Sequence, residues 1–215
     1  MRNTILIFLL FPLLILAQEP YEDFGSWTKI KLKHSLNKKI SFTNKTELRT
    51  TNNALHINQL YTQFSSRVKI NKHFSTSMAW RIKMLNETYG FNYENRFHND
   101  ITYKNKISDF NLFLRLRSQL SLNPYGSNEF HERARFKASY KINKKMSFYL
   151  YDELYYKMMG QNSFSLYEKN RFGTGMEFQI SKSIEFEVKY IRIRDKNVEN
   201  PEIMNIMGVV FSLEI

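Results

Sequence analysis

Apolar and polar side chains alternate with a period of two along most of the chain. From Phe110 to Arg117 the even positions are all Phe or Leu, and the odd positions include Asn and two Arg. From Ile184 to Tyr190, the residues Ile, Phe, Val and Tyr alternate with Glu, Glu and Lys. Successive side chains point to opposite faces of a β-strand, whereas a helix repeats every 3.6 residues. The pattern therefore predicts β-strands that have one apolar face and one charged face.

These strands have the length and polarity of membrane strands. Most runs span roughly 9–13 residues, close to what a tilted strand needs to cross a bilayer. A sheet that spans lipid must close on itself, because an open edge would leave backbone groups unpaired. We therefore predict an all-β fold, a closed antiparallel transmembrane up-and-down β-barrel. The predicted strands are Trp27–Leu36, Ile40–Thr50, Ile57–Ile70, Phe74–Asn86, Arg96–Lys104, Phe110–Leu120, Phe130–Ile142, Met146–Lys157, Arg171–Ile180, Ile184–Arg194 and Ile203–Ile215.

The number of strands is the open question of this prediction. The runs number eleven, whereas bacterial single-chain barrels have even numbers. An additional short strand over Glu19–Ser26 would give about twelve strands, the number that we favour. One misassigned run would instead give ten.

The connections alternate between tight polar turns and longer loops. The tight turns contain Asn-Lys or Ser-Lys, and such short turns are periplasmic in outer-membrane barrels. Soon after each turn a phenylalanine falls on the apolar face, which predicts a periplasmic aromatic girdle at the membrane interface. The tight turns are predicted at Asn37–Lys39, Asn71–His73, Asn105–Lys106, Asn143–Lys145 and Ser181–Ser183. The girdle residues are Phe42, Phe74, Phe110, Phe148 and Phe186.

The first residues predict export. Arg2 is followed by a short apolar stretch and then by Ala17, which is typical of a cleaved secretory signal peptide over residues 1–17. Residues 18–215 then form a single barrel domain in the outer membrane of a Gram-negative bacterium. The chain has no Cys, which excludes disulfides and cysteine-based sites, and it has no second apolar run for a helical membrane bundle.

Several short motifs give the chain a family resemblance. They are Trp27, Glu47–Arg49, Glu94–Phe97, Glu132–Phe136 and Asn170–Gly175. With these motifs the chain resembles an outer-membrane β-barrel family of unknown function, the DUF2490 type. The resemblance covers nearly all of the chain after the signal peptide. It implies the fold and the location, and it implies no activity and no catalytic residues.

Arginine occurs at a repeated place in the strands. Eight arginines on the polar face lie 8–11 residues from the lysine of the adjoining tight turn. We therefore expect a collar of guanidinium groups inside the barrel, near its outer mouth. Arginine keeps its charge and binds carboxylate or phosphate through two hydrogen bonds. The collar consists of Arg49, Arg81, Arg96, Arg115, Arg117, Arg133, Arg135 and Arg171.

Two functions fit such a collar. In the first, the arginines form a narrow pore that favours anions, because rings of cationic side chains select anions. In the second, Glu47, Glu94 and Glu153 pair with them and the lumen is a closed structural core. Outer loops that carry Tyr89, Phe91, Tyr93 and Tyr125 would then contact an external partner. Inward Tyr149, Tyr151 and Tyr155 opposite Gly173 and Gly175 would narrow the hole further.

A third function, a lipid-modifying enzyme of the outer membrane, has little support. None of the five histidines lies beside a nucleophile on the lipid side near the outer rim, so we expect no catalytic residues. No motif points to a metal or a cofactor. Nucleic acid is not an expected partner, because the basic residues alternate with apolar ones. Expected partners are outer-membrane lipid, lipopolysaccharide and small anionic solutes, and the oligomeric state is left open.

Overall fold

The computed structural model confirms an all-β fold with a closed barrel. The residues that it describes are 21–87, 90–124, 126–159, 167–198 and 200–215. The proposed signal peptide, Tyr89 and Tyr125 lie outside these ranges. Within the described ranges, no helix is long and apolar enough to span a membrane.

Eleven strands build the barrel in the described residues. Each strand pairs with its neighbours in sequence, and the first strand closes the barrel against the last. The strands are β1 (Tyr21–Ser35), β2 (Ile40–Thr51), β3 (His56–Lys69), β4 (Phe74–Glu87), β5 (Gly90–Ile107), β6 (Phe110–Leu122), β7 (Glu129–Lys141), β8 (Met146–Met159), β9 (Tyr167–Gln179), β10 (Ile184–Asp195) and β11 (Glu202–Glu214).

The strand pair that closes the barrel differs from the other strand pairs in its relative direction. Ten strand pairs are antiparallel, whereas β1 and β11 are parallel, with Trp27 beside Gly208 and Leu32 beside Leu213. Residues 21–26 extend β1 and do not form a separate strand, so the described barrel has one strand fewer than the favoured twelve. An odd number of alternating strands brings the first and last in the same direction, which explains the parallel pair.

The tight turns all lie at one rim, and four of the five share a hydrogen-bonding pattern. In four of them a side-chain oxygen accepts hydrogen bonds from the backbone amides two and three residues further on. This is the local bonding that makes Asn and Ser favourable in turns. The four acceptors are Asn37, Asn71, Asn143 and Ser181.

The fifth tight turn is displaced from its predicted place. Asn105 and Lys106, expected in the turn, lie within β5, and the chain reverses at Ser108 and Asp109. Ser108 adopts a left-handed backbone with φ of 54°. This conformation lets two residues connect β5 and β6. The prediction from the residues around Asn105 therefore placed the turn about three residues too early in the chain.

The barrel is apolar outside and charged inside. Phe97, Leu114 and Leu116 are exposed on the outer face, while Glu47 and Glu153 are almost completely buried inside. The apolar part of the interior is a small cluster around Trp27. An outer surface of this kind is what a barrel presents to lipid.

The five phenylalanines that we expected in a girdle lie on this outer face near the tight-turn rim. Four of them expose 40–48% of their surface, and the fifth, Phe186, is half-buried. Phe74 contacts Tyr103 and Phe110 contacts Tyr140, at ring-centroid distances of 5.1 and 4.9 Å. Their role at a membrane interface remains a prediction.

Candidate functional site

A charged cavity of about 420 Å³ occupies the middle of the lumen. Its lining contains thirteen Lys and Arg side chains and four Glu side chains. The eight arginines that sequence analysis grouped together all line it, although they come from six different strands, β2, β4, β5, β6, β7 and β9. Their common position follows from the similar distance between each arginine and its tight turn, but it lies in the middle of the lumen and not near the outer mouth, where we expected the collar.

Glu153 on β8 is the centre of the largest charge cluster. Its carboxylate, 0% exposed, lies 2.6 Å from Arg115, 2.8 Å from Arg133, 2.8 Å from Arg135 and 3.7 Å from Arg171. One negative charge therefore faces four guanidinium groups. The Nε atom of each of these four arginines is buried and has no hydrogen-bond partner among the described residues. The cluster is thus only partly compensated.

The other two predicted acids each hold two cations. Glu47 contacts the Nζ of Lys29 at 2.5 Å and the Nε of Arg49 at 2.6 Å. Glu94 contacts Lys83 at 2.5 Å and Arg96 at 3.0 Å. In both cases the arginine is two residues along the same strand, where it points to the same face of the sheet.

Asp100 is a further acid that pairs with an arginine of the collar, and the sequence did not single it out. It accepts two hydrogen bonds from Arg117, at 2.6 and 2.8 Å, in the forked arrangement typical of arginine and carboxylate. The two residues are neighbours across β5 and β6. The alternation of apolar and polar residues places Asp100 inside the barrel, but only the register of the strands shows which arginine it contacts.

Two of the Lys and Arg side chains that line the central cavity have no carboxylate partner in the described part of the chain. Arg81, buried, donates two hydrogen bonds to the neutral amide oxygen of Gln63, at 3.0 and 2.8 Å. Lys45 lines the same cavity, and within the described ranges it makes no hydrogen bond or ion pair. Its strongest charge interactions are with other cations, Arg81, Lys29 and Arg117.

Aromatic rings hold several of the guanidinium groups in place. Arg49 lies 3.7 Å from the centre of the Trp27 ring and Arg81 lies 3.8 Å from that of Tyr61. Arg133 lies over Tyr155 in the same way, at 4.0 Å. A ring face attracts a cation without neutralising it. These contacts therefore orient the arginines without adding a counter-charge.

Two of the inward tyrosines cover glycines on the next strand. Tyr149 pairs with Gly175 and Tyr151 with Gly173. A Cβ atom added to Gly173 would lie 2.3 Å from the Tyr151 ring, so only glycine lets the ring lie flat on the barrel wall. The rings thus take up space inside the lumen, as sequence analysis predicted.

Further cavities continue from the central one toward both rims. A cavity of about 490 Å³ on the loop side shares Trp27, Arg49, Lys169 and Arg171 with it. A cavity of about 440 Å³ on the turn side shares Lys29, Lys45, Arg115, Arg117 and Glu187. This turn-side cavity is lined by seven Lys and Arg side chains and by two acids. The adjoining cavities therefore share a cationic lining.

One histidine of the lumen, His131, has an acidic partner. The Nε2 atom of His131 lies 3.0 Å from the Glu168 carboxylate on β9. In the described ranges, no group of three or more His, Asp or Glu side chains is arranged to hold a metal ion. The geometry around His131 is that of a polar lumen pair.

Comparison with known proteins agrees with this architecture. A solved structure of a porin, NanC, superposes on 79% of this chain and 86% of the porin chain, with a TM-score of 0.53 and 13% sequence identity. At that identity the likeness concerns the fold alone. No curated protein matches the chain. The family model for a protein of unknown function, DUF2490, matches residues 24–204. The chain therefore belongs to the DUF2490 family and has the fold of a porin-like β-barrel.

Proposed function

We propose that the protein is a narrow pore of the outer membrane that favours small anions. The observation that carries this proposal is the series of adjoining lumen cavities in which Lys and Arg outnumber acids. Water-filled cavities with low-dielectric walls concentrate ions of the opposite sign to their lining. The lumen would therefore accumulate anions and repel cations.

The location in a Gram-negative outer membrane rests on three features. The barrel has an apolar outer face, its tight turns lie at one rim, and residues 1–17 have the composition of an export signal. In that membrane the outer face would contact phospholipid and lipopolysaccharide. The turn rim would face the periplasm, and the longer loops would face the outside.

Selectivity would arise from the way in which the arginines are held. Carboxylates neutralise only part of the positive charge, because four guanidinium groups share Glu153 and Arg81 bonds to an amide. The ring of Tyr61 holds the guanidinium group of Arg81 without cancelling its charge. Excess fixed charge of this kind favours anions over cations in a constriction.

The size of the central cavity limits the permeant solute. About 420 Å³ is enough for a hydrated inorganic anion or for a small organic acid. It is at the lower end of the volume of pockets that hold drug-sized ligands. We therefore propose small anionic solutes and no polymeric cargo.

Planar-bilayer conductance tests the proposal. In a potassium chloride gradient, the pore should show single-channel steps. Its reversal potential should have the sign expected for a current carried by chloride. Replacing Arg115 or Arg133 by Gln should move the reversal potential toward zero, whereas Arg192→Gln, on the outer face, should leave it unchanged. A folded protein without conductance steps would refute the pore and favour the closed structural barrel. A cation-selective current would refute the selectivity.

We propose no catalytic role. In the described part of the chain, the lumen histidine His131 bonds to Glu168 and not to a serine hydroxyl. A nucleophile and a base within hydrogen-bonding reach would be needed for lipid hydrolysis. Incubation of the folded protein with phospholipid should therefore release no fatty acid.

A further inference from the structure

We infer that the lumen contains a discrete binding site for a phosphoryl group, formed by Lys45 and Arg81. The inference rests on the proposed pore and deepens it, because it names a ligand class and a place in the lumen. Lys45 lines both the central and the turn-side cavity, and Arg81 lines the central one. A ligand at this position would lie where the two cavities meet.

The register of three strands places the two cations in one row. Lys45 on β2 pairs with Gln63 on β3, and Gln63 pairs with Arg81 on β4. All three side chains point into the lumen. Since neighbouring strands are roughly 4.8 Å apart, the backbones of the two cationic residues are about 10 Å apart. Inward side chains from these positions can reach a single small anion between them.

Arg81 is positioned for such a ligand, and its charge is not neutralised. The side chain is 6% exposed, and its Nε and Nη2 atoms both donate to Gln63. The ring of Tyr61 covers one face of the guanidinium group at 3.8 Å. These contacts fix the plane of the group, and its Nη1 atom makes no hydrogen bond within the described ranges. A buried cation without a counter-charge is costly, so an anion from solution would be stabilised beside it.

Lys45 supplies a second charge of the same kind. It makes no hydrogen bond or ion pair within the described ranges, and its charge interactions are with Arg81, Lys29 and Arg117 and, more weakly, with the carboxylate of Glu47. In its inward row, the neighbour on the other side is Lys31, which is also a cation. The row Lys31, Lys45, Gln63 and Arg81 therefore contains three positive charges and no carboxylate.

The charge and donors of this row match a phosphoryl group. A phosphoryl group carries a charge of about −1.5 to −2 at neutral pH and has three strong acceptor oxygens. Lysine offers three donors as a point charge, and arginine offers a planar donor edge, a combination suited to phosphate oxygens. Chloride is also an anion, but it carries only one negative charge. A single carboxylate would leave one of the two cations uncompensated.

Block of the chloride current by inorganic phosphate tests this site. Phosphate should reduce the current of the wild-type pore in a saturable manner. Lys45→Gln and Arg81→Gln should each raise the half-blocking concentration at least tenfold, while the current stays anion-selective. Lys137→Gln, which removes a charge of the same cavity that is already paired with Glu177, should raise it less than threefold. An equal effect of all three variants would mean that phosphate responds to the overall positive charge of the lumen, and it would overturn the inference of a discrete site.

Thermal unfolding in detergent gives a readout that does not depend on conduction. At constant ionic strength, phosphate should raise the melting temperature of the wild type more than chloride does, and this difference should vanish in Lys45→Gln. If the protein conducts no ions but phosphate stabilises it, the pore fails and the site stands. If an anion-selective pore shows neither block nor stabilisation by phosphate, the site fails and the pore stands.

The source of the phosphoryl group is decided by a comparison of ligands. Free phosphate and a phosphorylated solute share the group, so inorganic phosphate and glucose 6-phosphate are compared, with glucose as the neutral control. Tighter block by glucose 6-phosphate would assign the site to phosphorylated solutes, and tighter block by phosphate would assign it to the free ion. Block by glucose equal to that by glucose 6-phosphate would overturn recognition of the phosphoryl group.

Discussion

Replacement of Glu153 by Gln removes the carboxylate that four arginines surround. The side chain keeps its size and one carbonyl oxygen, but it loses its negative charge. Its new amide hydrogens are donors, and they face the donors of Arg115, Arg133 and Arg135, which now contact Glu153 at 2.6–2.8 Å. The variant therefore tests whether the charge at this position holds the middle of the barrel together.

The expected loss of stability is large because the site is fully buried. Removal of one partner from a buried ion pair costs about 3–5 kcal/mol, since the other charge is left uncompensated. Here the carboxylate is 0% exposed and faces more than one cation. Glu177 is a suitable control, because it pairs with a single lysine and a quarter of its side chain is exposed. Glu177→Gln should cost about 0.2–1 kcal/mol.

Urea unfolding in detergent at low ionic strength measures the difference. The unfolding free energy of Glu153→Gln should fall by at least about 3 kcal/mol relative to wild type. A loss no larger than that of Glu177→Gln would refute the reasoning. It would show that the lumen is hydrated enough to screen the four arginines.

Two further predictions test the architecture. Trp27 lies inside the barrel and Trp80 is exposed on the outer face. Lipids with brominated chains should therefore quench the fluorescence of Trp27→Phe, which retains Trp80, and should not quench that of Trp80→Phe. The opposite result would mean that the inner and outer faces of the barrel are assigned the wrong way round. The parallel closure predicts that cysteines at Leu32 and Leu213, which are direct neighbours, form a disulfide on oxidation in this cysteine-free chain, whereas cysteines at Leu32 and Asn205 do not. A cross-link of the second pair alone would mean that β11 runs in the other direction.

Most of the fold could be predicted from the sequence, because its main determinant is local. Alternation of apolar and charged residues defines each strand, and an Asn or Ser side chain defines four of the five tight turns. The closure could not be predicted in this way. Residues 21–26 hardly alternate, so they indicate neither a separate strand nor an extension of β1. The pairing of β1 with β11 joins residues about 180 positions apart and has no local signal.

The sequence groups the eight arginines at one level of the barrel, but it predicts neither the depth of that level in the lumen nor the pairing of the arginines. A constant distance from the tight turn placed the eight arginines at one cavity. Their partners depend on which strands are neighbours and on the stagger between them. Glu153 on β8 meets arginines from β6, β7 and β9, and only the three-dimensional register brings these together. Lys45 gave no signal, because a missing partner is a property of the folded lumen and not of the sequence around it.

If the lumen is an anion pore as proposed, its paired and its unpaired arginines have different roles. Arg117 and Arg49 are bound to carboxylates, and such pairs build the wall. Arg81 is held by an amide and an aromatic ring, which position the guanidinium group and do not neutralise its charge. A core that served stability alone would gain from a carboxylate at Gln63, because a buried charge without a partner is costly. An amide at that place leaves the positive charge of Arg81 without a counter-charge, which is the property that the proposed anion site requires.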